Sequence, residues 1–326
     1  MKRSLSVTAA VALASYVVAP LALADTINLS TMTLEGTSQI ISGGTLRLTP
    51  NFDPDPAGPI PAGAAWTPST VNVVNPFSAD FKFQMSDPCL TGLPTCVSDN
   101  GHGGDGIAFL IQDSSPTAIG VGAGGMGFLG ITDSVAVMLD TYQNISPNYY
   151  GDPSNNYISI NTRGTDFNVP HHDCTFVPAD NAFELTADPT VPSDLKGSVF
   201  SPDCTANPTL AMTGGGPTFG GFPALSEDID QGVHDLDVIY TGSALDIYLD
   251  SALVLSTAMD LGTLLDLQGG TNAFLGFTAG TRFAYQNQDI LSFSFAQIPE
   301  PEWGGIAIPL AAMCAIAMTR KWRRAR

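Results

Sequence analysis

Apolar and polar residues alternate in short runs along this chain, at Ile27–Leu29, Ser38–Ile41, Thr45–Leu48, Ala65–Trp66, Val71–Val74 and Ala79–Met85. The same pattern returns at Leu236–Tyr240, Ala244–Leu249, Ala252–Ser256, Ala273–Ala279 and Ile290–Phe295. Alternation is the signature of a strand, whose successive side chains point to opposite faces. Three further runs, Ile107–Ile111, Val135–Leu139 and Tyr157–Asn161, are rich in β-branched and apolar residues and read as strands too. Gly, Pro and Asn punctuate the runs, and no stretch holds a helical period for long, so the pattern predicts an all-β class built from many short strands. One helix-like fragment, Asp260–Leu267, reads equally well as a turn. Residues 50–62 form a Pro-rich loop, and 165–225 a Gly/Pro/Asp-rich insertion whose length is unusual unless it is functional.

The two ends of the 326-residue sequence follow other rules. Residues 1–24 open with Lys2 and Arg3, continue through an apolar run at Val7–Leu23 and finish in Ala22-Leu23-Ala24, the pattern of a signal peptide with its cleavage site. Residues 299–326 carry Pro299-Glu300-Pro301-Glu302, an apolar run from Trp303 to Met318, and a basic tail from Arg320 to Arg326. This segment resembles the PEP-CTERM sorting signal of Gram-negative bacteria. The resemblance implies removal by an exosortase-type processing protease after export, with the C-terminal segment holding the chain in the membrane until then. The expected location is the periplasm, the outer surface or the extracellular matrix.

Assigning both ends to processing changes the charge of what remains. Residues 25–298 hold five Lys and Arg against 29 Asp and Glu, a net charge of −24. So acidic a body repels phosphate backbones and anionic lipid, which excludes nucleic acid as a partner and suits a protein that gathers Ca²⁺. The cysteines follow the same division. Cys314 falls in the C-terminal apolar run, while Cys89 with Cys96 and Cys174 with Cys204 predict two local disulfides in an oxidising compartment. Neither pair has zinc-type spacing with His partners.

Candidate chemistry concentrates in three segments. Between the runs at 135–139 and 157–161 lie Asp140, Asn144, Pro147 and the Gly151-Asp152-Pro153 turn, with neither Cys nor His. Carboxylates, an amide and free carbonyls are the ligands of a hard cation. Residues 101–112, GHGGDGIAFLIQ, are a Gly-rich turn delivering Asp105 to the mouth of an apolar strand. Residues 120–131, GVGAGGMGFLGI, are expected to leave backbone N–H groups uncovered at their glycines. A carboxylate beside free N–H donors suits a polyol with alternating donors and acceptors.

From about residue 26 to 296 the sequence resembles the L-type (legume-type) lectins. LEGTSQIISGGTLRLTP and GAAWTP look like that family's first strands, GDGIAFLIQ like its Gly-Asp-Gly-Ile-Ala-Phe block, and DTYQN followed by Asp-Pro like its metal loop. HDLDVIYTGSALDIYLD and LGFTAGTRFAYQNQDILSFSF are similar to its closing strands and last loop. The resemblance implies a concanavalin A-like jelly-roll β-sandwich over residues 25–298. It further implies that Asp105, reached through a cis Gly104–Asp105 peptide, accepts hydrogen bonds from sugar hydroxyls, and that Gly125 or Gly124 donates a backbone N–H. Asp140, the carbonyl of Tyr142, Asn144 and Asp152 would ligate Ca²⁺. Asn144 would also turn its NH₂ to the sugar and Tyr142 its ring, while Gly280 and Thr281 would lie in the variable loop that tunes which sugar fits. The expected partners are glycans or exopolysaccharide.

Two departures sharpen this expectation. Plant members carry a Glu two residues before the shared Asp and a His five residues after the Asp-Pro aspartate, both serving a transition metal; here these positions are Met138 and Tyr157. One Ca²⁺ and no Mn²⁺ is therefore expected. His171 and His172 in the insertion read as exposed polar loop residues. An enzyme on a similar scaffold, a retaining glucanase, needs paired carboxylates on one strand about 5–5.5 Å apart. Val135 to Tyr142 holds only Asp140, and residues 25–298 have only Glu35, Glu184 and Glu227, so no hydrolase is expected. The other rival is a structural matrix protein that keeps the fold without binding sugar.

Overall fold

The computed structural model describes residues 25–52, 60–88, 102–144, 152, 154–170, 209–213, 225 and 228–298, and pairs nearly all of the alternating runs into sheets. The strands are β1 Asp25–Thr26, β2 Thr33–Gly36, β3 Gln39–Ile40, β4 Leu46–Thr49, β5 Ala62–Trp66, β6 Val71–Asn72, β7 Phe77–Ser86 and β8 Gly106–Gln112. They continue as β9 Ser134–Asp140, β10 Tyr157–Thr162, β11 Thr209–Thr213, β12 Val233–Tyr240, β13 Ala244–Leu249, β14 Ala252–Ala258, β15 Asn272–Gly280 and β16 Asn287–Gln297. One eight-stranded sheet runs β14-β13-β12-β7-β16-β4-β3 with β1 on β16; the other runs β11-β10-β9-β8-β15-β5-β2 with β6 on β15. Neighbouring strands are antiparallel, β7 between β12 and β16 and β8 between β9 and β15. This is the expected jelly-roll sandwich.

The main core forms where the inward side chains of both sheets meet. β7 buries Phe77, Ala79, Phe81, Phe83 and Met85 and turns Asp80, Lys82 and Gln84 outward, so its period of two places one face in oil and one toward water. Phe81 meets Phe277 edge-on at 4.9 Å, and Phe277 meets Phe293 at 5.0 Å. Aromatic pairs of this kind add about 0.5–1.5 kcal/mol beyond the area they bury.

The second sheet is covered on its other face as well. Trp66, Ala108, Leu110, Ala136 and Met138 pack there against Met126, Phe128 and Ile131 from the β8–β9 connection. Trp66 also donates its indole N–H to the Ala118 carbonyl at 2.7 Å, which pins that connection over the sheet. Every residue of β8, β9 and β10 is consequently buried.

Local chemistry revises one expectation, decides one left open and adds a strand. Ile27–Leu29 is not a strand: Asn28 Oδ1 accepts from the Ser30 N–H at 3.1 Å and starts a 3-10 turn at Leu29–Thr31, leaving only Asp25–Thr26 to pair with β16. Asp260–Leu267 contains a short helix, α1 Leu261–Leu264, whose first turn is capped by Asp260 Oδ1. The insertion contributes a strand, β11, which extends the second sheet beyond β10. The rest of that insertion at 171–208 and 214–224, with His171 and His172, lies outside the described residues, as do both processing segments, Pro147 and all five cysteines. Among the described residues no helix is long and apolar enough to cross a membrane.

Candidate functional site

Five residues pair in a row across one end of the second sheet: Ala62 with Gly280, Gly280 with Gly106, Gly106 with Asp140, and Asp140 with Tyr157. The segments that carry Asp105, Asp140 to Asn144 and Thr281 leave the sheet at this row, whereas 120–131 belongs to the β8–β9 connection, which departs at the opposite end, where Gln112 pairs with Ser134. Gly106 permits the departure of the 102–105 segment, since its φ is +150° and a Cβ there would lie 2.1 Å from the Leu139 carbonyl oxygen. The Gly104–Asp105 peptide is cis, as the resemblance implied. Asp105 donates its N–H to the Gly280 carbonyl at 2.9 Å and accepts the Thr141 N–H on its own carbonyl at 2.9 Å. A Cβ on Gly104 would come within 2.7 Å of Tyr142 Cβ, so the half-buried Tyr142 rests directly on this segment.

The carboxylates of Asp140, the last residue of β9, and of Asp152, ahead of β10, are drawn together. Tyr157 presents its hydroxyl to both, 3.1 Å from Asp140 Oδ2 and 2.7 Å from Asp152 Oδ1. The opposite oxygens accept backbone donors, Tyr142 N–H on Asp140 Oδ1 at 2.9 Å and Asn144 N–H on Asp152 Oδ2 at 2.7 Å. Asn144 turns its NH₂ toward Asp105 Oδ1 at 3.5 Å and the Tyr142 carbonyl at 3.4 Å. The sugar-facing and cation-facing candidates therefore share one side chain.

Burial makes this arrangement short of positive charge. Asp140 is 2% exposed and Asp152 3%. Desolvation first, then repulsion from Asp152, raises the Asp140 carboxyl well above the ordinary range, and desolvation pushes Asp152 up to about 7. Two adjacent buried carboxylates favour whatever cation or proton can join them. Among the described residues no three His, Cys, Asp or Glu side chains are grouped to hold a metal. A cation here must draw on amide and carbonyl oxygens and on water besides the two carboxylates, which is the donor set of Ca²⁺ and not of a soft metal.

Asp105, Asp140, Tyr142, Asn144 and Asp152 are thus brought together, but three other candidates take different roles. Gly125 does not present a free N–H: it donates to the Gly122 carbonyl at 3.0 Å inside a 3-10 turn and lies buried beneath Leu129 and Val121. The glycines around it are needed for close packing, as at Gly120 and Gly127, whose N–H groups are also spent on neighbouring carbonyls. Gly280 and Thr281 are buried and do not line a variable rim. A Cβ on Gly280 would meet the Ala123 carbonyl at 2.5 Å, and the Thr281 hydroxyl donates to the Gly104 carbonyl at 2.7 Å.

The exposed part of that loop begins one residue later. Phe283 is 50% exposed at φ +64°, with the Arg282 guanidinium 4.9 Å above its ring. Tyr285, next but one, bridges back to Gly104. Sequence reasoning missed this pair, although Arg-Phe between a glycine and a strand was a readable sign of an exposed tip. It also read Tyr157 only as a lost metal ligand, whereas the hydroxyl joins both carboxylates.

No protein-family model matches the chain. Among solved structures it is similar to peanut lectin, solved with a nine-residue peptide, at 17% identity and TM-score 0.53, over 84% of this chain and 96% of that one. The basic winged bean lectin with Tn-antigen aligns at 19% identity and TM-score 0.53, over 85% and 99%. The acidic winged bean lectin, complexed with methyl-α-D-galactose, aligns at 18% and 0.53, over 85% and 100%. Residues spanning most of the chain therefore adopt the legume-lectin jelly-roll fold.

Proposed function

We propose that this protein is an exported, calcium-dependent carbohydrate-binding protein and not an enzyme. The observation that carries the reading is the convergence of Asp105, Tyr142 and Asn144 with the Asp140–Asp152 pair at one end of the sheet. Asp105 supplies acceptor oxygens for sugar hydroxyls, Asn144 an NH₂, and Tyr142 and Phe283 apolar ring faces for pyranose C–H groups. Asp140, Asp152, Asn144 and the Tyr142 carbonyl would hold Ca²⁺, which supplies the positive charge that two buried carboxylates lack and so fixes the loop bearing Tyr142 and Asn144. Support for a single metal comes from the neighbours: Met138 is packed into the apolar cluster of the outer face, and the Tyr157 hydroxyl stands between the two carboxylates.

Support for binding rather than hydrolysis comes from β9, which offers Asp140 as its only carboxylate, already engaged with Tyr142 and Tyr157. That the similar solved structures are lectins, two of them holding saccharide ligands, agrees with this reading. Residues 1–24 and 299–326 are read as export and PEP-CTERM sorting segments, with an exosortase-type protease and the membrane as transient partners. Asp105→Asn removes the charged acceptor at nearly constant volume. It is expected to lower binding of any glycan that wild type retains by at least about tenfold at saturating calcium, leaving the circular dichroism spectrum unchanged. Undiminished glycan binding would contradict the assignment.

A further inference from the structure

Asp105 sits in a segment, Gly103-Gly104-Asp105-Gly106, with almost no side chains of its own to anchor it. Its three successive carbonyls are instead gripped from below by side chains of other elements. The Thr141 hydroxyl lies 3.3 Å from the Gly103 carbonyl oxygen and 3.2 Å from that of Asp105. The Gly104 carbonyl accepts from the Thr281 hydroxyl at 2.7 Å and from Gln288 Nε2 at 3.2 Å.

A second tier orients these donors. Gln288 Nε2 also faces the Gly280 carbonyl at 3.3 Å; an amide confronting two carbonyls must turn its NH₂ toward them, and the Thr49 hydroxyl meets its oxygen at 2.8 Å. Gln286 Nε2 donates to the Thr141 hydroxyl at 2.7 Å, which directs that hydroxyl's single proton to the segment's carbonyls.

Thr49, Thr281, Gln286 and Gln288 are each 0% exposed and Thr141 1%, where apolar side chains would be the default. Gln286 even leaves its Oε1 without a hydrogen-bond partner while its other end holds Thr141. Buried polar groups carry a desolvation cost, and one half-satisfied is retained for what its satisfied half does. Thr49 lies on β4 and Gln288 on β16, both in the sheet opposite to the site. The row of strands alone therefore does not fix Asp105; the other sheet reaches across to it.

We infer that Thr281, Gln288 and Thr141, backed by Thr49 and Gln286, are positioning residues that set the place of the Asp105 carboxylate. The inference rests on the reading of Asp105 as the sugar-binding acid, and the test separates the two. Peptide-resolved hydrogen exchange is measured on the calcium-loaded full chain as wild type, Thr281→Val and Thr281→Ser. Thr281→Val is expected to accelerate exchange of the 103–106 amides by about tenfold, with β7 within about twofold of wild type, and Thr281→Ser to restore protection. Where Thr281→Val does not fold, Thr49→Val, one tier further out, is read in the same way. Unchanged exchange at 103–106, or equal acceleration at 103–106 and β7, overturns the positioning role. On immobilised mannose, galactose, N-acetylgalactosamine and glucuronic acid, wild-type retention is expected to fall about tenfold in Thr281→Val and recover in Thr281→Ser, with calcium affinity by calorimetry unchanged. Where wild type is retained, equal retention in all three overturns it. A wild type that binds none of the four sugars fails the functional reading, while the exchange result still decides positioning.

Discussion

At the residue scale, the site turns on groups that share partners. Tyr157 stands in register with Asp140 and offers one proton to two carboxylates. Its hydroxyl reaches one oxygen of each buried carboxylate, so Tyr157→Phe removes a donor that the pair shares. The expected loss is about 1–3 kcal/mol of unfolding free energy in EDTA, and distinctly less in saturating Ca²⁺, where a cation answers the same oxygens. Urea unfolding in the two conditions measures both. Equal losses would mean that no cation meets these carboxylates. That Asp105, Asp140, Tyr142, Asn144 and Asp152 come together was legible in the sequence because carboxylates and an amide beside Gly- and Pro-rich turns stand out locally. Thr281, Gln286 and Gln288 were not, because a buried hydroxyl or amide that supports a distant backbone carbonyl leaves no local pattern.

At the element scale, most strands were readable because one face is wet and the other dry. β7, β12 and β13 alternate in burial throughout their length. β8, β9 and β10 were recognised by composition instead, since a sheet covered on both faces erases alternation. In the glycine-rich segment 120–131 glycine permits both close approach to a ligand and close packing, and the hydrogen-bond partners of Gly120, Gly125 and Gly127 show that packing used those three, while the alternative donor Gly124 is not decided by them.

The outer face of the first sheet carries a pH-dependent feature. Asp80 on β7 and Asp237 on β12 lie directly opposite each other, and desolvation, followed by the bond to Asp80 and its charge, raises the Asp237 carboxyl from 3.8 to about 6. A raised carboxyl means that the folded protein holds the proton more tightly than the unfolded chain. Its stabilising contribution is present below about pH 4 and is lost as the pH rises through about 6. Asp237→Asn is therefore expected to raise Tm at pH 7.5 and to leave little difference from wild type at pH 4. A variant less stable than wild type at pH 7.5 would contradict the repulsion between these strands.

At the scale of the whole molecule, a body of net charge −24 is organised around a site that concentrates still more negative charge. Asp105, Asp140 and Asp152 are each at most 4% exposed at one end of one sheet, a concentration that favours a cation or a proton that completes it. The jelly roll explains how residues as far apart as Asp105 and Thr281 meet: β8 and β15 are neighbours, and Gly106 pairs with Gly280. Order along the chain revealed the fold, and the pairing of strands revealed which loops share the site.

Calcium and sugar are proposed to meet at this end of the sheet. A glycan array probed with the purified protein in millimolar Ca²⁺ and again in EDTA tests it most directly. A restricted set of glycans is expected to bind in Ca²⁺, to be lost in EDTA and to return when calcium is restored. An array empty in both conditions, or glycan signals unaffected by EDTA, would contradict it.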